Sequence, residues 1–284
     1  VKSKIFIISM LMTIVSCGGS NENQTEAPEV IKKPTNISAA STNGVVSISW
    51  SQSNDSDIYV STESGLSFEN YASFENSEWI KDVTSPFEYV PETLIYKYFF
   101  TVVNKNNGVE STQSDTVASV PRYIDKGEYV EDLYTNLVWM KCAIGQTYKN
   151  ESNACEGNAT RLKYDASISL IESTYPEWRI PNLAELISLV YCESGNPDYF
   201  LDNESQSCEQ EEGNKETIFS EIFAGAQDPT EGTNTPIYRT STEVPKADFP
   251  DQKFIRIVNF SRGDIGSGPV QQRSFINLRL VKDK

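Results

Sequence analysis

Trp178-Arg-Ile-Pro181-Asn182-Leu-Ala-Glu185-Leu186-Ile-Ser-Leu-Val190 is the stretch that decides how the second half of this 284-residue chain folds. Pro181 and Asn182 start a helix at a fixed angle, and Asn182 is a strong N-cap. Glu185 stands three residues on, at the N3 position of a capping box. Leu183, Leu186, Ile187 and Val190 then follow helical spacing and give the helix one apolar stripe. Trp178 reads as a core residue, and Arg179 as a clamp on a carbonyl or carboxylate. The block reads as structural rather than as a site.

Working outward, Lys163–Ile171 reads as a second short helix, and Tyr129–Met140 as a strand or hairpin. Pro236–Thr240, Lys253–Phe260 and Arg273–Val281 are strand candidates. Two short helices with late strands make an α+β domain over residues 121–284. Four cysteines fall in it: Cys142, Cys155, Cys192 and Cys208. An even set in an exported chain reads as two disulfides. Four cysteines allow three pairings, and the sequential one, Cys142–Cys155 and Cys192–Cys208, is expected here. Each bridge closes a loop of about 14–17 residues, worth roughly 3 kcal/mol by chain entropy. The absence of any CxxC spacing argues against a metal site.

This half resembles the Lcl carboxy-terminal domain, a bacterial surface domain named after a collagen-like adhesin. The resemblance rests on Thr135-Asn-Leu-Val-Trp139-Met, on Cys142-Ala-Ile-Gly145-Gln-Thr-Tyr148 with Cys155-Glu-Gly157, on the Trp178–Val190 block, and on Phe275-Ile-Asn-Leu-Arg279-Leu-Val281. It marks Trp139, Trp178, Arg179, Pro181, Asn182, Glu185, Leu186 and Arg279 as motif residues. It implies a C-type-lectin-like fold, with two helices, a small antiparallel sheet and long loops held by disulfides. One departure stands out. Arg239, in Tyr238-Arg239-Thr240-Ser241, replaces the family's tryptophan, which puts any ligand role of that strand in doubt.

Residues 34–120 read differently. Val45-Val-Ser-Ile-Ser-Trp50 alternates, Asp57–Ser61 is a short strand, and Tyr96–Val103 puts Tyr96, Tyr98, Phe100 and Val102 on one face. Asn106-Asn107-Gly108 supplies a hairpin turn. Short strands without an intervening helix predict an all-β sandwich. The segment resembles a fibronectin type III domain. Trp50 stands at the strand-B core position, Tyr96 after Val90-Pro91 at the tyrosine corner, and Asn104, Gly108 and Ser114 follow the F–G hairpin. The reading favours a spacer over a ligand-binding module.

At the amino terminus, Lys2 and Lys4 precede the apolar run Ile5–Ser16. About a dozen apolar residues are too few for a membrane span, which needs roughly twenty. Residues 1–16 therefore read as a secretory leader. Ile14-Val15-Ser16-Cys17 resembles the lipobox of bacterial lipoproteins, so Cys17 is expected to carry a covalent lipid and anchor the chain to a membrane. Residues 17–33 then act as a flexible tether reaching roughly 20–25 Å. Gly18 and Gly19 lack the aspartate retention signal of the inner membrane, and the resemblance to bacterial lipoproteins then implies the outer membrane of the cell envelope.

Lys and Arg number 24 and Asp and Glu 40, for a net charge of −16. That surface repels nucleic acid. Histidine is absent, which removes Ser-His-Asp and Cys-His catalysis and histidine-ligated zinc. The acidic loop Glu193–Glu216 offers Asp198, Asp202 and Glu204 as calcium ligands, although a solvated loop is the default. No cofactor is otherwise implied. Arg262-Gly263-Asp264 is the integrin-binding tripeptide but suits any polar turn. The expected function is non-catalytic adhesion to a polysaccharide or a surface protein through the terminal domain. Two alternatives stand beside it: a structural envelope component that binds a partner lipoprotein or secretion machinery, and a carboxylate-based enzyme acting on cell-surface glycans. The sequence sets no oligomeric state.

Overall fold

The computed structural model describes residues 30–51, 55–192, 207–208, 217–223, 236–270 and 276–284. The leader, Cys17 and most of the tether lie outside the described residues, as do the calcium candidates Asp198, Asp202 and Glu204. No helix among the described residues is long and apolar enough to cross a membrane.

The first domain is a sandwich of two antiparallel sheets. One sheet runs β1 (Thr35–Thr42), β2 (Val45–Ser51), β5 (Phe87–Tyr89). The other runs β4 (Ser77–Val83), β3 (Ser56–Ser61), β6 (Tyr98–Asn106), β7 (Val109–Glu110), and β8 (Val117–Ser119) also pairs with β6. The alternation read in β2 is realised, with Val46, Ile48 and Trp50 buried. They pack against Tyr98, Phe100 and Val102 of β6, the architecture of a fibronectin type III-like fold. The Trp50 Nε1–H donates to Ser56 Oγ at 3.1 Å, so the indole is buried with its polar atom satisfied. Asn43-Gly44 and Asn107-Gly108 both sit at positive φ, the backbone that two-residue hairpins require.

One detail differs from the sequence reading, and a second was not read from it. The hydroxyl that turns back onto the chain belongs to Tyr98, which donates to the Thr93 carbonyl at 2.9 Å. Tyr96 instead packs part-buried against the same core. All six residues of β3 are buried, because the sheet is covered on its outer face too. Leu66, Phe68, Tyr71 and Phe74, from the segment after β3, close over Tyr59, Val103 and Phe99.

In the terminal domain the first strands and the last strand of the domain meet in one sheet. The order β17 (Val281–Asp283), β11 (Leu137–Met140), β10 (Tyr129–Asp132), β9 (Tyr123–Asp125) places the last strand beside the first hairpin. A second hairpin, β12 (Thr147–Lys149) and β13 (Ala154–Glu156), follows. The helices are α1 (Tyr164–Thr174) and α2 (Leu183–Ile187). A third sheet runs β14 (Ile237–Val244), β15 (Phe254–Asn259), β16 (Asp264–Pro269).

The capping box at α2 is complete. Asn182 Oδ1 accepts the Glu185 N–H at 2.9 Å, and Glu185 Oε2 accepts the Asn182 N–H at 2.8 Å. Trp139 and Leu186 lie fully buried in the larger core. Both bridges are sequential, Cys142–Cys155 and Cys192–Cys208.

The late strands need correction. Residues 264–269, read as loop, form β16, and Ile265 is buried in the core. Its glycines hid the strand from pattern reading, yet Gly266 lies under Ile257, where an added Cβ would come within 3.2 Å. Conversely, Ile276–Leu280 is buried but joins the β14 sheet by a single bridge, Tyr238 to Asn277. The final strand starts only at Val281.

Ile31–Lys284 groups as one compact unit. Val120, Arg122 and Tyr123, which join the two domains, are all buried. Arg122 grips Asp132 through Nε and Nη2 and donates from Nη1 to the Ser188 carbonyl at 2.7 Å. Lys97 of the sandwich meets Glu221 of the terminal domain at 3.1 Å.

Candidate functional site

A cavity of about 540 Å³ opens in the terminal domain. Its aromatic lining comes from Tyr129, Tyr148, Tyr175 and Trp178. Met140 and Ile144 add apolar surface, while Glu128, Gln146 and Lys282 add polar groups. The 142–148 loop supplies over half of the lining, and the rest comes from the β10 start, the β11 end, the α1 exit, Trp178 and β17.

Backbone pairing sets the wall. The Arg179 N–H donates to the Val281 carbonyl at 2.9 Å, and the Val281 N–H returns a bond at 3.0 Å. This pins Trp178 beside Lys282. The Lys282 ammonium lies 5.0 Å from the Trp178 ring centre and pairs with Glu177 at 3.2 Å. Tyr129, 39% exposed, meets Trp178 edge-on at 6.4 Å between ring centres. The two rings form a corner facing the cavity. Trp178, read from sequence as core, is therefore half-buried at a wall. The core beneath it is filled by Ile180, Leu278 and Leu280.

The part of the lining from residues 142–148 is stapled by the Cys142–Cys155 bridge. Gly145 has φ +94, and a Cβ there would stand 2.2 Å from Thr160 Oγ1 and 2.6 Å from its backbone nitrogen, so only glycine fits. Gln146 folds back, its side-chain oxygen accepting the Ala143 N–H at 3.1 Å. The buried Lys141 ammonium donates to Asp125 at 2.6 Å, Tyr148 Oη at 3.1 Å and Asn153 at 3.2 Å. It thereby fixes the Tyr148 ring.

The motif residues behind the cavity hold it in shape. Arg179 forks onto both Glu185 oxygens, at 2.7 and 2.8 Å, and reaches Asp283 at 2.9 Å. Burial pushes the Glu185 carboxyl up, but the bonds from Arg179 and the Asn182 N–H outweigh it and hold the group below its usual range. Pro181 offers its carbonyl to the Ser241 N–H at 2.8 Å. Arg279, buried, donates to the Met140 carbonyl at 2.7 Å and to the Lys141 carbonyl. Arg239 is also buried, near Tyr164 and Ser167, so its position in β14 offers no side chain to a ligand.

Of the motif residues, only Trp178 lines the cavity, together with the bridge cysteine Cys142. Sequence reading gave no site role to Tyr129, Tyr175 or Lys282, nor to Gln146 and Tyr148 within the quoted Cys142–Tyr148 stretch. Fourteen tyrosines are spread along the chain, and nothing local sets these apart. The Arg262-Gly263-Asp264 turn is closed on itself, Arg262 pairing with Asp264. Among the described residues no cluster of three or more acidic, cysteine or histidine side chains could hold a metal.

The Lcl C-terminal domain family matches residues 128–282. No curated protein matches the chain. Among solved structures, an Fn3-like protein from Clostridium thermocellum is similar at 22% identity, covering 31% of this chain and 91% of that one with a TM-score of 0.27. The FN5 domain of Drosophila Lar is similar at 17% identity, covering 32% and 95% with a TM-score of 0.25.

Proposed function

The chain belongs to the Lcl C-terminal domain family, and from that premise we propose that it is a lipid-anchored envelope protein that binds a polysaccharide without turning it over. The observation that carries the reading is the corner made by Trp178 and Tyr129 inside an open cavity of about 540 Å³. Sugar rings present C–H faces that stack on aromatic rings, and their hydroxyls need nearby amide, hydroxyl and charged partners. Tyr175, Tyr148, Gln146 and Thr147 supply these around the same space. Glycoside hydrolysis would need a pair of carboxylates. Among the described residues lining the cavity, Glu128 is the one acid.

Anchorage rests on the sequence: the leader, Cys17 and the polar tether. We read the outer membrane as the site of anchorage and the terminal domain as C-type-lectin-like. Two short helices, small antiparallel sheets and two disulfides support that assignment. The sandwich then serves as a spacer. A glycan array on the chain from Gly18 onward tests the binding reading. Capture of defined glycans, lost in Trp178→Ala, supports it. Co-purification of one envelope protein with no glycan captured would replace it with the structural reading.

A further inference from the structure

The charges around the cavity are unbalanced. Glu128 and Lys282 are the acid and the base that line it. Lys282 is already engaged, by Glu177 at 3.2 Å and by the Trp178 ring at 5.0 Å. Glu128 is exposed, and its carboxylate has no ion-pair partner among the described residues. Its backbone is nonetheless fixed, because its carbonyl accepts the Lys141 N–H at 3.0 Å. The nearby Asp125 carboxylate is neutralised by Lys141. The site therefore keeps one uncompensated negative charge beside an aromatic corner, in a chain of net charge −16. The corner also shows what it can hold, since an ammonium group, that of Lys282, already lies over Trp178.

We propose that the cavity selects a cationic glycan, a polysaccharide carrying free primary amines on its sugar rings. The pyranose face stacks on Tyr129 or Tyr175, and the ring ammonium lies between Glu128 and the aromatic corner. This rests on the reading that the cavity binds glycan. An anionic glycan would instead meet Glu128 and the negative field of the whole chain.

The test is calorimetric titration of the chain from Gly18 onward with two β-1,4-linked tetrasaccharides, one of glucosamine and one of N-acetylglucosamine. The pH is chosen so that the sugar amines are protonated. The amine tetramer is expected to bind about tenfold more tightly, with an advantage that shrinks as salt is added. Glu128→Gln should weaken the amine tetramer about fivefold and the acetylated one by less than about twofold, so that the ratio of the two affinities falls. Lys282→Met, which removes the resident cation, should strengthen the amine tetramer about two- to threefold. A carboxylate-recognising site would show the opposite, losing affinity when Lys282 is removed.

Equal or tighter binding of the N-acetylated tetramer, or preference for a polyuronate, overturns the charge selection while leaving glycan binding intact. Binding of an oligolysine peptide with neither sugar bound overturns both. Unchanged thermal midpoints in the two variants separate a binding effect from a folding one.

Discussion

Arg179 and Val281 exchange two backbone hydrogen bonds, at 2.9 and 3.0 Å, across a stretch of about a hundred residues of chain. The exchange fixes the register between the segment leading to α2 and the last strand. One residue before Arg179 is Trp178, and one after Val281 is Lys282, so this register builds the cavity wall.

Substituting that wall separates binding from folding. Trp178→Ala should cut glycan affinity by more than about tenfold, the loss typical of a central aromatic anchor. Because Trp178 is half-buried, the unfolding midpoint should fall only modestly. Trp178→Phe should recover part of the affinity. Array binding by the alanine variant at the wild-type level would remove Trp178 from the site.

Glu185 serves both the cap of α2 and the fork from Arg179. Glu185→Ala should cost about 1–2 kcal/mol in urea unfolding at neutral pH, the range for a lost cap. Glu185→Gln, which keeps a capping oxygen but loses the charge, should cost about 1 kcal/mol or less, since Arg179 is 42% exposed. The pH dependence has a definite sign. The folded carboxyl titrates below its unfolded value, so its contribution is complete above the ordinary carboxylate range. It is lost as the pH falls through the lowered folded value. The stability curves of wild type and the glutamine variant should therefore converge in acid; a constant gap from neutral to acidic pH would show that ionisation of Glu185 plays no part.

The cap, the α2 stripe and the sandwich strands were legible because each is a local pattern. Asn182 and Glu185 lie three apart, and Val46, Ile48 and Trp50 alternate. Positions set by long-range pairing were not legible. Tyr96 and Tyr98 share a face, and only the path of the chain after Val90 decides which hydroxyl reaches Thr93. The strand 264–269 consists largely of small and polar residues and is recruited by β15, whose Ile257 needs the space left by Gly266. The cavity was least legible, because Tyr129, Tyr175, Trp178 and Lys282 meet only when the first hairpin and the last strand of the terminal domain pair.

The anchor is tested separately from the site. Cys17→Ser should leave an uncleaved precursor without lipid, which partitions into the aqueous phase on detergent phase separation. The unsubstituted protein should enter the detergent phase. Partition of the serine variant with detergent would show that something other than a lipid on Cys17 holds the protein to the membrane.

The bridge Cys142–Cys155 staples the 142–148 part of the cavity lining. Paired Cys142→Ser and Cys155→Ser substitutions should lower stability by roughly 3 kcal/mol, as expected for opening a loop of this length. Mass mapping without reduction should return the peptides joined as 142–155 and 192–208. Free thiols at these positions would reject the pairing.

Gly145→Ala tests whether that wall tolerates any side chain. Its φ of +94 already disfavours an L residue, and the new Cβ would overlap the Thr160 backbone nitrogen at 2.6 Å. The Thr160 N–H donates to the Ile144 carbonyl at 2.6 Å, so the 142–148 loop cannot move away without breaking a bond to the 158–160 segment. Overpacking and strain together should cost at least about 3 kcal/mol. Thr160→Ala removes the nearer obstacle, the hydroxyl at 2.2 Å, but not the backbone one. The double variant should therefore recover only a small part of the loss. Full recovery of the unfolding midpoint in the double variant would mean that the hydroxyl, not the backbone, is what demands glycine at this wall.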